Sequence, residues 1–169
     1  PQRLEVAGGE TRRVRVGIRP AAERIERSYR VSLEQISAPE PVPGVVAMRM
    51  RYSLPLFAQP KVRKATVRLD GLAIDATGVR MTLANIGVVH VTPRRLFATG
   101  TDASGRTVWT REISTWYLLP GDTRVYHQTL TLDECRRTRS AAAEATFLEG
   151  TGLNVRSTLP VGPGACARP

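Results

Sequence analysis

Residues 45–60 read Val45-Val46-Ala47-Met48-Arg49-Met50-Arg51-Tyr52-Ser53-Leu54-Pro55-Leu56-Phe57-Ala58-Gln59-Pro60. From Val46 the apolar residues recur at every second position. Val46, Met48, Met50, Tyr52, Leu54 and Leu56 share one face, while Ala47, Arg49, Arg51, Ser53 and Pro55 share the other. A period of two predicts a half-buried β-strand. At about 3.3 Å per residue a strand over this run spans roughly 36 Å, beyond the usual ~17–20 Å, so it outruns ordinary sheet neighbours. Pro55 has no N–H for a ladder bond, which predicts a sheet edge or a bulge there. An apolar edge with unpaired backbone is a site where another chain can add a strand.

The flanking sequence repeats the short alternating pattern. Arg13, Arg15 and Gly17 alternate with Val14, Val16 and Ile18, and Tyr29, Val31 and Leu33 alternate with polar neighbours. The proline-rich stretch 37–44 is a loop, and Pro60-Lys61 reads as a hinge. Further on, strands are expected at 65–69, 72–75 and 79–83, the latter two as a hairpin around Ala76-Thr77-Gly78. Others follow at 89–92, 109–119, 123–132 and 153–159, and residues 93–105 read mostly as loop. Residues 141–145, Ala-Ala-Ala-Glu-Ala, have high helix propensity, but Thr146, Phe147 and Gly150 beside them favour a strand. Many short strands punctuated by Gly, Pro and Asp, with little helical period, predict an all-β sandwich.

The order of these segments resembles that of PapD-like periplasmic pilus chaperones. Leu54-Pro55-Leu56-Phe57-Ala58-Gln59-Pro60 is similar to the end of that family's last first-domain strand, in the form typical of its archaic, spore-coat-type branch. Glu26 followed by Tyr29-Arg30, the run Asn85-Ile86-Gly87-Val88-Val89-His90, and Leu119-Pro120-Gly121 fill further family positions. The resemblance implies two immunoglobulin-like β-sandwich domains. Residues 1–60 form the C-terminal part of the first and 61–169 the second, so the chain is expected to begin midway through the first domain. It also implies a non-enzymatic chaperone of the periplasm that donates the 45–57 strand to pilus or fimbrial subunits and works with an outer-membrane usher. The subunit-binding residues are then Val46, Met48, Met50, Tyr52, Leu54 and Leu56. The family's basic anchor for the subunit carboxylate is not carried over, because its lysine position is occupied by Pro55. Arg30, Arg49 and Arg51 are the candidates to replace it by bidentate contacts. The alternative reading is a structural or adhesive immunoglobulin-like module in which the long strand is simply core.

Composition narrows the remaining classes. The 169 residues carry a formal net charge of +10, with a sequence pI near 10.9. That charge is almost all arginine, Lys61 and Lys64 being the only lysines, and it is spread over many strands. A phosphate-tracking surface needs clustering, so nucleic acid is not an expected partner. No stretch approaches the roughly 20 apolar residues that span a bilayer, so the chain is not expected to be membrane-embedded. His90 and His127 are too isolated for a metal site, and no nucleophile elbow or phosphate loop occurs, so neither a cofactor nor catalysis is expected. Cys135 and Cys166 are either a disulfide in an oxidising compartment or two free thiols.

Overall fold

The computed structural model describes residues 3–18, 24–36, 44, 46, 48–148, 153–162 and 164–166. Strands β1 (Arg27–Glu34) and β2 (Arg51–Ala58) form an antiparallel two-stranded ribbon. The rest is a two-sheet sandwich of β3 (Val67–Asp75), β4 (Gly78–Asn85), β5 (Pro93–Thr101), β6 (Thr107–Glu112), β7 (Thr123–Thr129), β8 (Ser140–Phe147) and β9 (Asn154–Pro160), with one short helix, α1 (Leu132–Arg137). One sheet has the order β3-β4-β7 and the other β6-β5-β8-β9, all pairs antiparallel. The chain is thus all-β, with the immunoglobulin-like arrangement the sequence predicts. Counting sandwich strands from β3, the sheets run first-second-fifth and fourth-third-sixth-seventh. The fourth strand therefore sits in the sheet opposite to the one it joins in constant-type immunoglobulin domains.

Alternation fills the space between the sheets. Val79, Met81 and Leu83 of β4 are fully buried, as are Leu96 and Ala98 of β5 and Ala141 and Ala145 of β8. Each large aliphatic side chain so removed from water contributes about 1.5–3 kcal/mol before chain entropy is set against it. The alanine-rich segment is a strand, as its neighbours suggest. Ala141, Ala143 and Ala145 pack into the core between β5 and β9, and this packing overrides local helix propensity. A Cβ on Gly100 would lie 2.2 Å from Nε1 of Trp109, so only glycine lets that ring cross β5. The indole N–H then donates to Thr138 Oγ1 at 2.8 Å.

Several expectations change in detail. The expected strands at 65–69 and 72–75 are one strand, β3, with a register shift between Asp70 and Ala73 at Gly71, whose φ is 59°. Its hairpin to β4 turns where expected, and Asp75 Oδ1 accepts the Thr77 N–H at 2.8 Å. Residues 93–105 are not mostly loop, because β5 occupies nine of them. Its inward positions Ala98 and Gly100 are small, which hid the alternation. The expected strand at 123–132 ends at Thr129, and α1 begins beyond it with a capping box. The Thr131 side chain accepts the Glu134 N–H, and Glu134 accepts the Thr131 N–H. Residues 13–18 alternate but join no strand among the described residues, since alternation sets two faces and does not supply a neighbour. Cys135 and Cys166 form a disulfide, Cα atoms 5.8 Å apart, which ties α1 to the C-terminal segment.

Candidate functional site: the β1–β2 ribbon and its seat on the sandwich

The ribbon register pairs Tyr29 with Leu56, Val31 with Leu54 and Leu33 with Tyr52. These six residues form one apolar face. The opposite face carries Ser28 with Phe57, Arg30 with Pro55, Ser32 with Ser53, and Glu34 with Arg51. Strand β2 is shorter than the expected 45–57 strand. It starts at Arg51, and the last ladder bond runs from the Gln35 N–H to the Met50 carbonyl at 3.0 Å. Upstream of Met50 the described residues have no β1 partner, so nothing holds them in a ladder. Exposure rises in the same direction: Leu54 is 51% exposed, Tyr52 54%, Met50 54%, Met48 77% and Val46 87%. Leu56 is half-buried, and Val45 and Ala47 lie outside the described residues.

That terminal bond fixes which way every backbone group of β2 points. The Gln35 N–H donates to the Met50 carbonyl, so in this antiparallel register the even residues 52, 54, 56 and 58 turn their N–H and C=O toward β1. The odd residues 51, 53, 55 and 57 turn theirs to the outer border. Among the described residues no strand occupies that border. Pro55 therefore takes nothing from the β1 ladder, because its missing N–H faces outward. Beside the Met50 end lies an open groove of about 470 Å³, whose apolar lining includes Leu4, Val6, Val14, Leu33, Met50 and Tyr52.

The other end of the ribbon is seated on the sandwich through a loop that Asn85 builds. Its buried side chain donates to the Val89 and Leu118 carbonyls at 2.9 and 3.0 Å and accepts the Gly87 N–H at 2.9 Å. Gly87 is needed because a Cβ there would lie 2.5 Å from the Lys64 carbonyl oxygen. The loop presents two groups to the ribbon: the Val88 carbonyl, which accepts the Glu26 N–H at 2.8 Å, and His90. The Glu26 carboxylate, fully buried, accepts the His90 backbone N–H at 3.0 Å and lies 2.8 and 2.9 Å from His90 Nδ1. A carboxylate only accepts, so Nδ1 carries the proton between them. The imidazole stacks on Phe57 with centroids 3.8 Å apart, and Tyr117 meets the Phe57 ring edge-on at 5.3 Å.

The three candidate arginines are not gathered together. Arg30 reaches over the polar face to Ser53 Oγ at 3.3 Å and Tyr117 Oη at 3.4 Å, at the seat itself. Arg51 lies two same-face pairs farther along the ribbon, opposite Glu34, and Arg49 precedes the strand; both are exposed. Sequence reasoning placed Glu26 and His90 in family positions without joining them, and it missed Phe57 and Tyr117 as a pair. Only the fold brings residues 57 and 117 into contact. His127 is exposed on β7, with Nε2 3.3 Å from Thr77 Oγ1. Among the described residues no cluster of His, Cys, Asp or Glu could hold a metal ion, and no helix is long and apolar enough to cross a membrane.

No protein-family model and no curated protein matches the chain. Among solved structures it is similar to the class 5 fimbriae chaperone CfaA. The two share 10% sequence identity at a TM-score of 0.45, over 82% of this chain and 60% of that one.

Proposed function

We propose that this chain is the subunit-binding part of a non-catalytic periplasmic chaperone for pilus or fimbrial subunits, acting by strand donation. Residues 1–60 belong to its first domain and 61–169 form its second. The observation that carries this reading is the outer border of β2, open among the described residues and continued upstream by alternating, exposed apolar side chains. In this reading Val46, Met48, Met50, Tyr52, Leu54 and Leu56 complete the core of a subunit that lacks a strand. The flexible thioethers of Met48 and Met50 suit varied clients. Arg30 is the best-placed of the three arginines to hold a client carboxylate, being already oriented by Ser53 and Tyr117. The Cys135–Cys166 disulfide fits an oxidising compartment. Loaded subunits are then handed to an outer-membrane usher.

Co-expression with candidate subunits tests this. Met48→Asp together with Met50→Asp places two charges where apolar contact is required, and the subunit should no longer co-purify. Undiminished recovery refutes strand donation and leaves a structural or adhesive module.

A further inference from the structure

The direction of the backbone groups along β2 limits where a partner strand can pair. Among the described residues, outward-facing N–H groups are available at Arg51 and Ser53, absent at Pro55, and available again at Phe57. A strand laid along this border finds both donor and acceptor at residues 51 and 53. At Pro55 it finds a carbonyl only, and one carbonyl of the incoming strand is left without a donor. Beyond that gap the border ends within a few residues, because Phe57 is engaged with His90 and Tyr117 at the seat. In the other direction 48–50 have no ladder partner among the described residues except at the Met50 carbonyl, and they continue the alternation.

We propose that Pro55 is a stop that sets the register of the added strand, which pairs from Ser53 back through Met48 and not past the proline. This rests on the strand-donation reading and specifies it. The same stretch defines the chemistry of the occupant. Met48, Met50 and Tyr52 require apolar side chains beside them on one face. On the other face Arg49 and Arg51 make no ion pair among the described residues, so acidic side chains are the complement. The occupant is an extended segment of a partner protein in which apolar and acidic residues alternate, with pairing that ends opposite residue 55.

The test is residue-resolved amide exchange by NMR on the whole chain, with and without a synthetic peptide of alternating valine and glutamate, blocked at both ends. In the wild-type chain the peptide should slow exchange at Arg51 and Ser53 by about tenfold, the equivalent of one net hydrogen bond, and leave Phe57 unchanged. In Pro55→Ala the slowing should extend to Phe57. Protection of Phe57 in the wild-type chain overturns the stop while strand addition stands, and this outcome needs no variant. A Pro55→Ala chain that binds but leaves Phe57 unprotected also overturns it. Binding of neither chain refutes strand addition itself, and the stop with it. A peptide of alternating valine and lysine that binds equally well refutes the acidic occupant.

Discussion

Replacing Glu26 by glutamine asks whether the ribbon is held on the sandwich by the contact between Glu26 and His90. The carboxylate is sealed from solvent and serves the His90 backbone N–H and Nδ1 together. Glutamine keeps one oxygen for the backbone N–H, but turns its own NH2 toward the ring nitrogen or gives up the backbone bond. One charge-assisted hydrogen bond is lost, worth about 1.5–3 kcal/mol. Converted to an opening equilibrium this is roughly ten- to a hundredfold. The site of opening is specific. The residue 26 N–H donates to the Val88 carbonyl and the Val88 N–H to the Lys64 carbonyl, each at 2.8 Å, so both amides report on the seat. Native-state hydrogen exchange should speed up by that factor at residues 26 and 88 and stay constant at Met81 and Leu83 in the sandwich core. Unchanged exchange at 26 and 88 shows that the contact does not hold the ribbon. An equal acceleration at Met81 and Leu83 shows that Glu26 supports the whole fold, and refutes the idea of a seat that opens separately.

Removing the disulfide with Cys135→Ser and Cys166→Ser opens a loop of sequence separation 31, which the loop-entropy account values at about 3–4 kcal/mol. At about 2–4 °C per kcal/mol for a chain of this size, thermal unfolding should drop by roughly 6–16 °C, and an unchanged melting temperature refutes the estimate. Acid should weaken the sandwich through three carboxyls held below their ordinary range. Asp102 is lowered to about 2, chiefly by the Ser104 hydroxyl; Asp75 is lowered by the Thr77 hydroxyl; Glu134 is lowered by the Thr131 backbone N–H and then Arg111. A depressed folded-state pKa gives stability that is complete above the unfolded value and lost as pH falls through the folded one. The urea midpoint should therefore be flat down to about pH 5 and fall between about pH 4 and pH 2, and a midpoint constant over that range contradicts the assignment.

The parts legible in the sequence are those where one local pattern decides the structure. The Ala76-Thr77-Gly78 turn was visible because Asp75 and glycine set a hairpin by themselves, and β1 because its alternation is unbroken. Helix α1 has its signal in Thr131-Leu132-Asp133-Glu134, a capping box masked in the sequence because the segment follows a strand pattern without a break. Strand β5 was hidden for a physical reason. Its inward glycine is small because Trp109 from the neighbouring strand fills the space, and that complement is knowable only from the fold. The seat is of the same kind. Glu26, Phe57, His90 and Tyr117 are spread over 92 residues of chain, and no spacing predicts their meeting.

The gap between the alternating pattern and the observed strand bears on how tightly a partner could be held. A two-stranded ribbon is marginal in water, and this one is fixed at the Ala58 end by the seat, while among the described residues no further strand joins it at the Met50 end. Ordering 48–50 as strand costs about 1–2 kcal/mol per residue, roughly 3–6 kcal/mol in all. Finishing the burial of Met48, Met50, Tyr52 and Leu54, each at least half exposed, returns about 1–2 kcal/mol apiece, roughly 4–8 kcal/mol. The two terms nearly cancel. In the strand-donation reading, what remains to discriminate one client from another is the set of ladder bonds on the outer border and the charges beside them. A single missing donor at Pro55, or a mismatch at Arg49 and Arg51, then weighs as heavily as a core contact. On the strand-donation reading, ordering residues 48 and 49 needs a neighbour, and selectivity for that neighbour lies in the backbone border more than in the methionines.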